Sequence, residues 1–340
     1  MIARGIFRPH HREVARIASI PSIKNVSPDK PNRPSIIKHL GRRLGVFGDL
    51  PTRLVHRVLP FTPWFLEPVL TRSWTFFFFC IARQQRQAVT HNLRALHPVW
   101  GKWRALWGAW RVFYNFARTY VDAMRCETGT GALDWEVVGL QAFEALAQPG
   151  PGRIVLTAHM GNYDIAAPVF SGRFGRTLFT VRAPEREAAT REIRERRMRE
   201  NEARHPNFRT LYNTGDAMLG IELARELRDG NLVAVQGDRV MFDVSPIDVE
   251  VEPGLVMRLP KGPLALARAT GVECQPLFVT RTGWRRYRIT VRPPLELPPR
   301  RRGEATDPAV HVWAAAVLDI VRPNWDQWFV FEKLLHRGNP

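Results

Sequence analysis

The feature that most constrains the fold is an alternation of apolar strands and amphipathic helices that begins near Asp134 and continues to the end of the chain. Short apolar runs predict strands at 153–158, 176–181, 208–213, 232–236, 272–280 and 287–291. Helical patterns between and after them predict helices at 163–172, 187–203, 215–230, 306–321 and 325–336. Strands that alternate with helices predict an α/β fold, with a largely parallel central sheet covered by helices on both faces.

A helical region precedes this alternation. Residues 83–126 repeat apolar and aromatic side chains at helical spacing, which is typical of a helix packed against a core. Residues 54–82, "LVHRVLPFTPWFLEPVLTRSWTFFFFCIA", are rich in tryptophan and phenylalanine, but prolines and charges interrupt them. A spanning helix needs about 20 apolar residues. The segment therefore fits an interfacial or re-entrant membrane element, or a helical hairpin that closes over a soluble core.

The net positive charge of the chain indicates which kind of binding partner it favours. The chain has 50 Lys plus Arg and 32 Asp plus Glu, a net charge of +18. This balance favours an anionic partner, although a basic tail alone would give the same sum. Residues 1–35 are predicted to be a basic, disordered arm without a signal peptide. We divide the remainder into a helical, membrane-associating region at 36–130 and an α/β domain at 131–340, with 36–340 forming one structural unit.

Polar residues follow several predicted strands at the point where each strand ends. In an open parallel sheet, ligands bind outside the carboxyl ends of the strands. We therefore expect these side chains to share one edge. They are His159 and Asp164 after the first strand, Arg182 after the second, and Asp238 and Arg239 after the fourth. Lys261, between a proline and a glycine before a helix, is a further candidate for contacting an anion.

His159 and Asp164 lie in "HMGNYD" and raise a specific possibility. If a glycine turn and a first helical turn bring the carboxylate back to the imidazole, Asp164 would fix the ring tautomer. The other ring nitrogen could then take a proton from a hydroxyl. The spacing alone also fits two polar residues that only cap and hydrogen-bond locally.

Several blocks together resemble the bacterial lipid A biosynthesis lauroyl/myristoyl acyltransferase family, a lysophospholipid acyltransferase-like group with an HX4D/E motif. The blocks are "RQAVTHNL", "HMGNYD", "FTVRAPE", "VQGDR", "LPKGPLALARATG" and "DQWFVFEKLLHR", in that order between Leu54 and Arg337. Such enzymes transfer an acyl chain from a thioester to a lipid or glycolipid hydroxyl. The enteric lipid A enzymes tend to carry glutamate at the position of Asp164, so other acceptors are compatible with this chain.

The resemblance implies roles for individual residues. His159 would be the catalytic base and Asp164 the residue that orients it. Substrate binding would fall to the polar side chains nearby, namely Asn162, Arg182, Asp238, Arg239 and Lys261. No metal and no resident cofactor are implied. The implied partners are an acyl carrier protein or coenzyme A thioester, an anionic lipid or glycolipid acceptor, and the cytoplasmic face of the bacterial inner membrane.

Two other functions are compatible with single features of the sequence. A metal-dependent hydrolase could use His159, Asp164 and Asp238 as ligands. A nucleic-acid-binding protein would explain the net charge, but the charge is spread along the chain and no recognised module accompanies it, so we expect no nucleic-acid partner.

Overall fold

A computed structural model describes residues 57–184, 188–214, 218–240, 246–301, 303–304 and 306–338. The basic arm predicted at 1–35, and residues 36–56 of the predicted helical region, lie outside the described residues. The structure contains a central seven-stranded sheet, a separate three-stranded sheet and helices packed around both.

The strands in chain order are β1 (Asp134–Val138), β2 (Arg153–Thr157), β3 (Leu178–Arg182), β4 (Phe208–Tyr212), β5 (Leu232–Gln236), β6 (Pro246–Glu252), β7 (Leu255–Pro260), β8 (Glu273–Gly283), β9 (Arg286–Val291) and β10 (Leu335–Arg337). The described helices are α1 (Glu67–Ile81), α2 (Arg83–Leu96), α3 (Lys102–Glu127), α4 (Leu140–Ala147), α5 (Tyr163–Ser171), α6 (Ala188–Arg204), α7 (Met218–Arg228), α8 (Gly262–Thr270) and α9 (Ala309–Val321).

The central sheet has the strand order β1-β9-β8-β2-β5-β3-β4. The five strands from β8 to β4 are parallel, β9 runs antiparallel to β8, and β1 pairs parallel with β9. The predicted α/β fold with a largely parallel sheet is therefore confirmed. The antiparallel β8–β9 pair and the small antiparallel sheet β10-β7-β6 are not predicted from the sequence.

Helices cover both faces of the central sheet, and alternate residues of β2 therefore belong to two separate hydrophobic cores. Ile154 and Leu156 belong to the larger core, which also includes residues of α7, α8 and α9. Val155 belongs to the second core, together with Phe143 of α4 and Phe170 of α5. A nearly continuous apolar run is what a central strand buried on both faces requires.

The N-terminal helices pack together through aromatic rings. Phe79 of α1 meets Trp110 and Phe113 of α3 edge to face, with ring centroids 5.5 and 5.3 Å apart. The two helices α2 and α3 confirm the helical region predicted at 83–126, with a break between Leu96 and Lys102. Among the described helices, none has the length and apolar character needed to cross a bilayer.

One secondary-structure prediction was wrong. The predicted helix at 325–336 is a single 3-10 turn, Trp325–Gln327, followed by an extended segment and β10. The cause is tertiary contact: the backbone N–H of Phe329 donates to the carbonyl of His159 at 2.8 Å, and Met160 and Trp328 form an isolated bridge. Trp328, Phe329, Val330 and Leu334 are buried in this extended segment, and Leu335 pairs with Met257 of β7 in the small sheet.

Candidate active site at the carboxyl edge of the sheet

Two neighbouring strands bring His159 and Asp238 together. Strands β2 and β5 pair in parallel with Thr157 opposite Gln236, so both strands end in register. His159 and Asp238 each follow two residues later and therefore meet beyond the same edge. The Nδ1 atom of His159 lies 2.7 Å from one carboxylate oxygen of Asp238. The backbone N–H of His159 donates to the other oxygen at 2.9 Å.

The pair is almost completely buried. The side chain of His159 is 7% exposed and that of Asp238 is 0% exposed. A third donor, the indole N–H of Trp328, reaches the Asp238 carboxylate at 2.9 Å. Burial alone would raise the pKa of Asp238, but the His159 charge and the hydrogen bonds from His159 and Trp328 outweigh it and lower the pKa. Asp238 is therefore ionised at neutral pH, and its position is fixed by three donors.

This geometry differs from the expectation that Asp164 would hold the imidazole. Asp164 lies in the first turn of α5, as predicted, but one of its carboxylate oxygens forms an ion pair with Arg182 at the end of β3. That pair is more open to solvent, with side-chain exposures of 43% for Asp164 and 22% for Arg182. The carboxylate at Nδ1 belongs to Asp238 because β5, not β3, lies beside β2.

Two glycines are required by the close packing around the pair. Gly161 has φ +54°, and a Cβ atom there would lie 2.4 Å from the carbonyl oxygen of Val279. A Cβ atom at Gly237 would lie 2.9 Å from the indole nitrogen of Trp313, which donates to the Gly237 carbonyl at 2.8 Å. Each glycine therefore lets the chain pass close to a neighbouring element, and the indole of Trp313 supports the loop that carries Asp238.

Tyr163 and Arg239 adjoin the pair. The Tyr163 ring packs edge to face on the His159 ring, with centroids 5.7 Å apart. Burial and the nearby carboxylate of Asp164 raise the pKa of Tyr163 to about 12, so its hydroxyl stays protonated, and that hydroxyl hydrogen-bonds Gln236. The charge of Arg239 also acts on Tyr163. The buried Nε atom of Arg239 has no hydrogen-bond partner among the described residues.

The remaining predicted residues take different positions. Asn162 is 2% exposed and donates to the carbonyl of Thr119 at 3.3 Å, which connects the active-site loop to α3. Lys261 is exposed and precedes α8. Because α8 leads directly into the start of β8 at the amino edge, its own beginning lies toward the carboxyl edge. Within the part of the chain that the structure describes, Lys261 forms no hydrogen bond or ion pair with His159 or Asp238.

Two aromatic residues at the site were not singled out from the sequence. Trp328 lies in "DQWFVFEKLLHR", a block of the family resemblance for which the sequence predicts a helix. Tyr163 lies inside "HMGNYD", at the start of the helix predicted at 163–172. The available signal was the position of both within blocks of the resemblance, because periodicity alone treats a buried tryptophan as core.

The metal-ligand set proposed as an alternative does not assemble. Asp164 pairs with Arg182, while the Asp238 carboxylate already accepts three hydrogen bonds. Across the described ranges, no three His, Cys, Asp or Glu side chains are grouped so that they could hold a metal ion. The geometry gives no support to a hydrolase that depends on these three ligands.

Comparison with known families agrees with the arrangement of the blocks. The family model described as bacterial lipid A biosynthesis acyltransferase matches residues 53–337, which is most of the chain. A search of curated proteins found no match. The matched range includes α1 to α3, the whole central sheet and the segment that carries Trp328.

Proposed function

Because the chain belongs to the bacterial lipid A biosynthesis acyltransferase family, we propose that it is a membrane-surface O-acyltransferase that uses His159 as its base and Asp238 as the orienting carboxylate. The donor is a fatty acyl thioester of acyl carrier protein or coenzyme A. The acceptor is a hydroxyl of a lipid or glycolipid, of the lipid A type or a related one. The observation that carries this proposal is the buried hydrogen bond between His159 Nδ1 and Asp238.

The hydrogen bond determines which ring nitrogen can act as the base. An ionised carboxylate accepts, so Nδ1 of His159 carries the proton and Nε2 of the neutral ring has a free lone pair. Nε2 takes the proton of the acceptor hydroxyl as its oxygen attacks the thioester carbonyl. The tetrahedral intermediate then collapses, the thiolate leaves with the proton from His159, and an ester remains. Asp238 stabilises the imidazolium that exists between these two proton transfers.

The other polar residues at the edge complete the proposal. Arg182, fixed by Asp164, and Arg239, with its buried Nε atom, supply positive charge near the reacting carbonyl or a substrate phosphate. Lys261 is proposed to contact an anionic substrate at the start of α8. Asn162 acts indirectly, since its amide is bonded to α3.

The exposed apolar surface supports action at a membrane. In the described ranges, eighteen large apolar side chains are exposed, and thirteen of them lie between Val58 and Trp107, including Phe61 at 87%, Trp64 at 73% and Trp103 at 79%. Arginines accompany these rings, as with Arg111 over Trp107. Tryptophan with arginine is typical of a helix surface that lies in the interface of an anionic bilayer. We propose that this surface faces the cytoplasmic leaflet of the bacterial inner membrane.

Vesicle sedimentation tests this attachment. The double substitution Phe61→Ser with Trp64→Ser is expected to lower binding to phosphatidylglycerol vesicles about tenfold or more, because two exposed rings leave the interface. The control is Ile221→Ser, since Ile221 is 61% exposed on α7 outside that surface. If the double variant binds as tightly as the unchanged protein, this surface is not the membrane face.

Mass spectrometry of membrane lipids tests the reaction. A strain lacking the protein should lose one acyl ester, and the mass of the missing species would give both the acceptor and the chain length. The unchanged chain should restore that ester, and His159→Ala should not. The control is His311→Ala, which removes an exposed histidine on α9. Restoration of the ester by His159→Ala would refute the assignment of the base.

A further inference from the structure

A second charged site lies between the N-terminal helices and the β8–β9 hairpin. It is a small cleft, partly open to solvent, whose polar and aromatic lining residues come from α1, α3 and the hairpin. We call it the arginine cleft, and the side chains that define it are Glu67, Tyr114, Arg118, Asp122, Arg281 and Trp284. The mechanism described above does not use any of these residues.

The two carboxylates of the cleft are already neutralised. The Oε2 atom of Glu67 forms ion pairs with Arg125 Nε and Arg285 Nη2, each at 3.0 Å, and the Glu67 side chain is 4% exposed. Asp122, at 2% exposure, accepts the Nε–H of Arg281 at 2.8 Å and the hydroxyl of Tyr287 at 2.7 Å. Neither carboxylate is therefore an open negative charge toward the cleft.

Not all N–H donors of the Arg281 guanidinium have a hydrogen-bond acceptor. Its Nε–H and the Tyr287 hydroxyl both donate to the same oxygen of Asp122, so the two-pronged geometry available to arginine and carboxylate is not formed. The Nη2 atom of Arg281 is buried and has no hydrogen-bond partner among the described residues. The whole side chain is 6% exposed. A buried guanidinium nitrogen without an acceptor is costly unless something else supplies one.

Arg118 adds a second positive charge beside the first. Its guanidinium carbon lies 5.4 Å from the centroid of the Tyr114 ring, and Arg72 approaches the same ring at 5.6 Å. Burial and the charge of Arg281 lower the pKa of Arg118, and the carboxylate of Asp122 does not fully offset them. In the described part of the chain, four guanidinium groups, Arg118, Arg125, Arg281 and Arg285, surround two carboxylates. This excess of buried positive charge favours an anion.

We propose that the arginine cleft binds a phosphate group of a substrate, held by Arg118 and by Nη2 of Arg281. A phosphate offers the several acceptor oxygens that two partly used guanidinium groups require. Its role as a substrate subsite rests on the proposed acyl transfer, whereas phosphate binding itself can be measured without any reaction.

The cleft is connected to the catalytic pair by short paths. Thr119, next to Arg118, accepts the hydrogen bond from Asn162 of the active-site loop. The backbone of Arg281 is bonded in both directions by Gln327, at 2.6 and 2.9 Å, and Gln327 precedes the tryptophan that donates to Asp238. A phosphate in the cleft would therefore be anchored to the elements that position His159.

Equilibrium dialysis of the full chain with radiolabelled inorganic phosphate tests the proposal. The unchanged protein should bind phosphate saturably, and Arg118→Gln should weaken that binding about tenfold or more, because one charge-assisted contact is lost. Arg104→Gln is the matched control, since Arg104 lies on the same helix, is exposed and stacks on Trp100. Absence of saturable binding to the unchanged protein, or equal weakening by Arg104→Gln, would overturn the proposal.

Competition distinguishes the two possible sources of the phosphate. Displacement of labelled phosphate by coenzyme A would indicate a donor phosphate, and displacement by monomeric dihexanoyl phosphatidic acid would indicate an acceptor headgroup. If neither competitor displaces the label, the cleft holds an adventitious ion only and the substrate subsite is wrong. Because the assay involves no acyl transfer, a negative result would not bear on the role of His159 as the base, which the lipid analysis of the deletion strain tests.

Discussion

The two Asp-containing pairs at the carboxyl edge differ in burial and in the number of groups that fix them. Asp238 is 0% exposed and accepts hydrogen bonds from the His159 ring, the His159 backbone and Trp328. Asp164 is 43% exposed and forms its ion pair with Arg182, which is 22% exposed. A carboxylate excluded from water interacts more strongly with its partner than one screened by solvent.

The motif "HMGNYD" suggests that Asp164 orients the His159 imidazole. In the structure, Asp238 contacts the imidazole and Asp164 pairs with Arg182. In the proposed mechanism, the buried pair keeps one proton on Nδ1 and prevents the imidazole from rotating, which base catalysis requires. In the same proposal, the open pair of Asp164 and Arg182 positions a guanidinium for contact with a substrate. The Asp of "HMGNYD" therefore positions Arg182, and the carboxylate that acts on the imidazole comes from a residue 79 positions from His159.

Asp238→Asn should have the largest effect on acyl transfer. The carboxamide must turn its NH2 group toward Nδ1 or lose the donors on its other side. If NH2 faces Nδ1, that nitrogen accepts, and the proton moves to Nε2, where it blocks base catalysis. We expect kcat to fall by about 10³-fold or more, in line with losing the orienting carboxylate of a His–Asp pair. The rate of ester formation from a long-chain thioester measures this.

The control for that variant is Asp307→Asn, which removes a carboxylate that is 15% exposed and pairs with Arg268 away from the site. It should lose stability without losing transfer. A rate for Asp238→Asn within tenfold of the unchanged enzyme would show that Asp238 is not the orienting residue.

The sequence was sufficient to predict the class of fold and the position of His159 beyond a strand end, but not the carboxylate that hydrogen-bonds its ring. Apolar runs bounded by polar residues indicate where parallel strands end, and those ends form one edge wherever the strands lie in the sheet. Which ends are adjacent depends on strand order. Here β5 is inserted between β2 and β3, so Asp238 lies beside His159 and Arg182 lies one strand farther away. A single sequence holds no record of that crossover.

The segment that contains Trp328 shows a second limit. Its apolar residues recur at a spacing compatible with a helix, yet Phe329, Val330 and Leu334 are buried in an extended chain. The energy that decides the conformation is tertiary, since the backbone of Phe329 bonds His159 and the indole of Trp328 bonds Asp238. Local propensity is a weak guide wherever such contacts outweigh it.

Asp164→Asn should have a smaller effect than Asp238→Asn. The substitution removes the negative charge that fixes Arg182, so the guanidinium becomes less ordered while the pair of His159 and Asp238 stays intact. We expect kcat/KM to fall about tenfold, mainly through KM. This corresponds to about 1.4 kcal/mol, slightly more than a fully exposed ion pair contributes, because the Arg182 side chain is 22% exposed. Steady-state kinetics with a varied thioester or acceptor measures it. A loss as large as that of Asp238→Asn, carried by kcat, would return the orienting role to Asp164.

Trp328→Phe should have the smallest effect on rate, about fivefold, and a characteristic effect on stability. The folded-state pKa of Asp238 is lowered partly by the indole, so this carboxylate stabilises the fold above its unfolded pKa of about 3.9 and less as pH falls through the folded value. Removing one donor raises the folded pKa. The loss in free energy of unfolding should therefore be about 2–3 kcal/mol at pH 7 and shrink below about pH 4.

Trp313→Phe supplies the matched control for this pH dependence. The Trp313 side chain is equally buried, but its indole donates to the uncharged carbonyl of Gly237. Its destabilisation should stay constant between pH 7 and pH 3, because no titrating group loses a partner. Urea unfolding of both variants over that range separates the cases. Parallel curves for the two variants would mean that the Trp328 hydrogen bond does not act through the charge of Asp238, and the distinction between a buried, fixed carboxylate and an open one would lose its electrostatic basis.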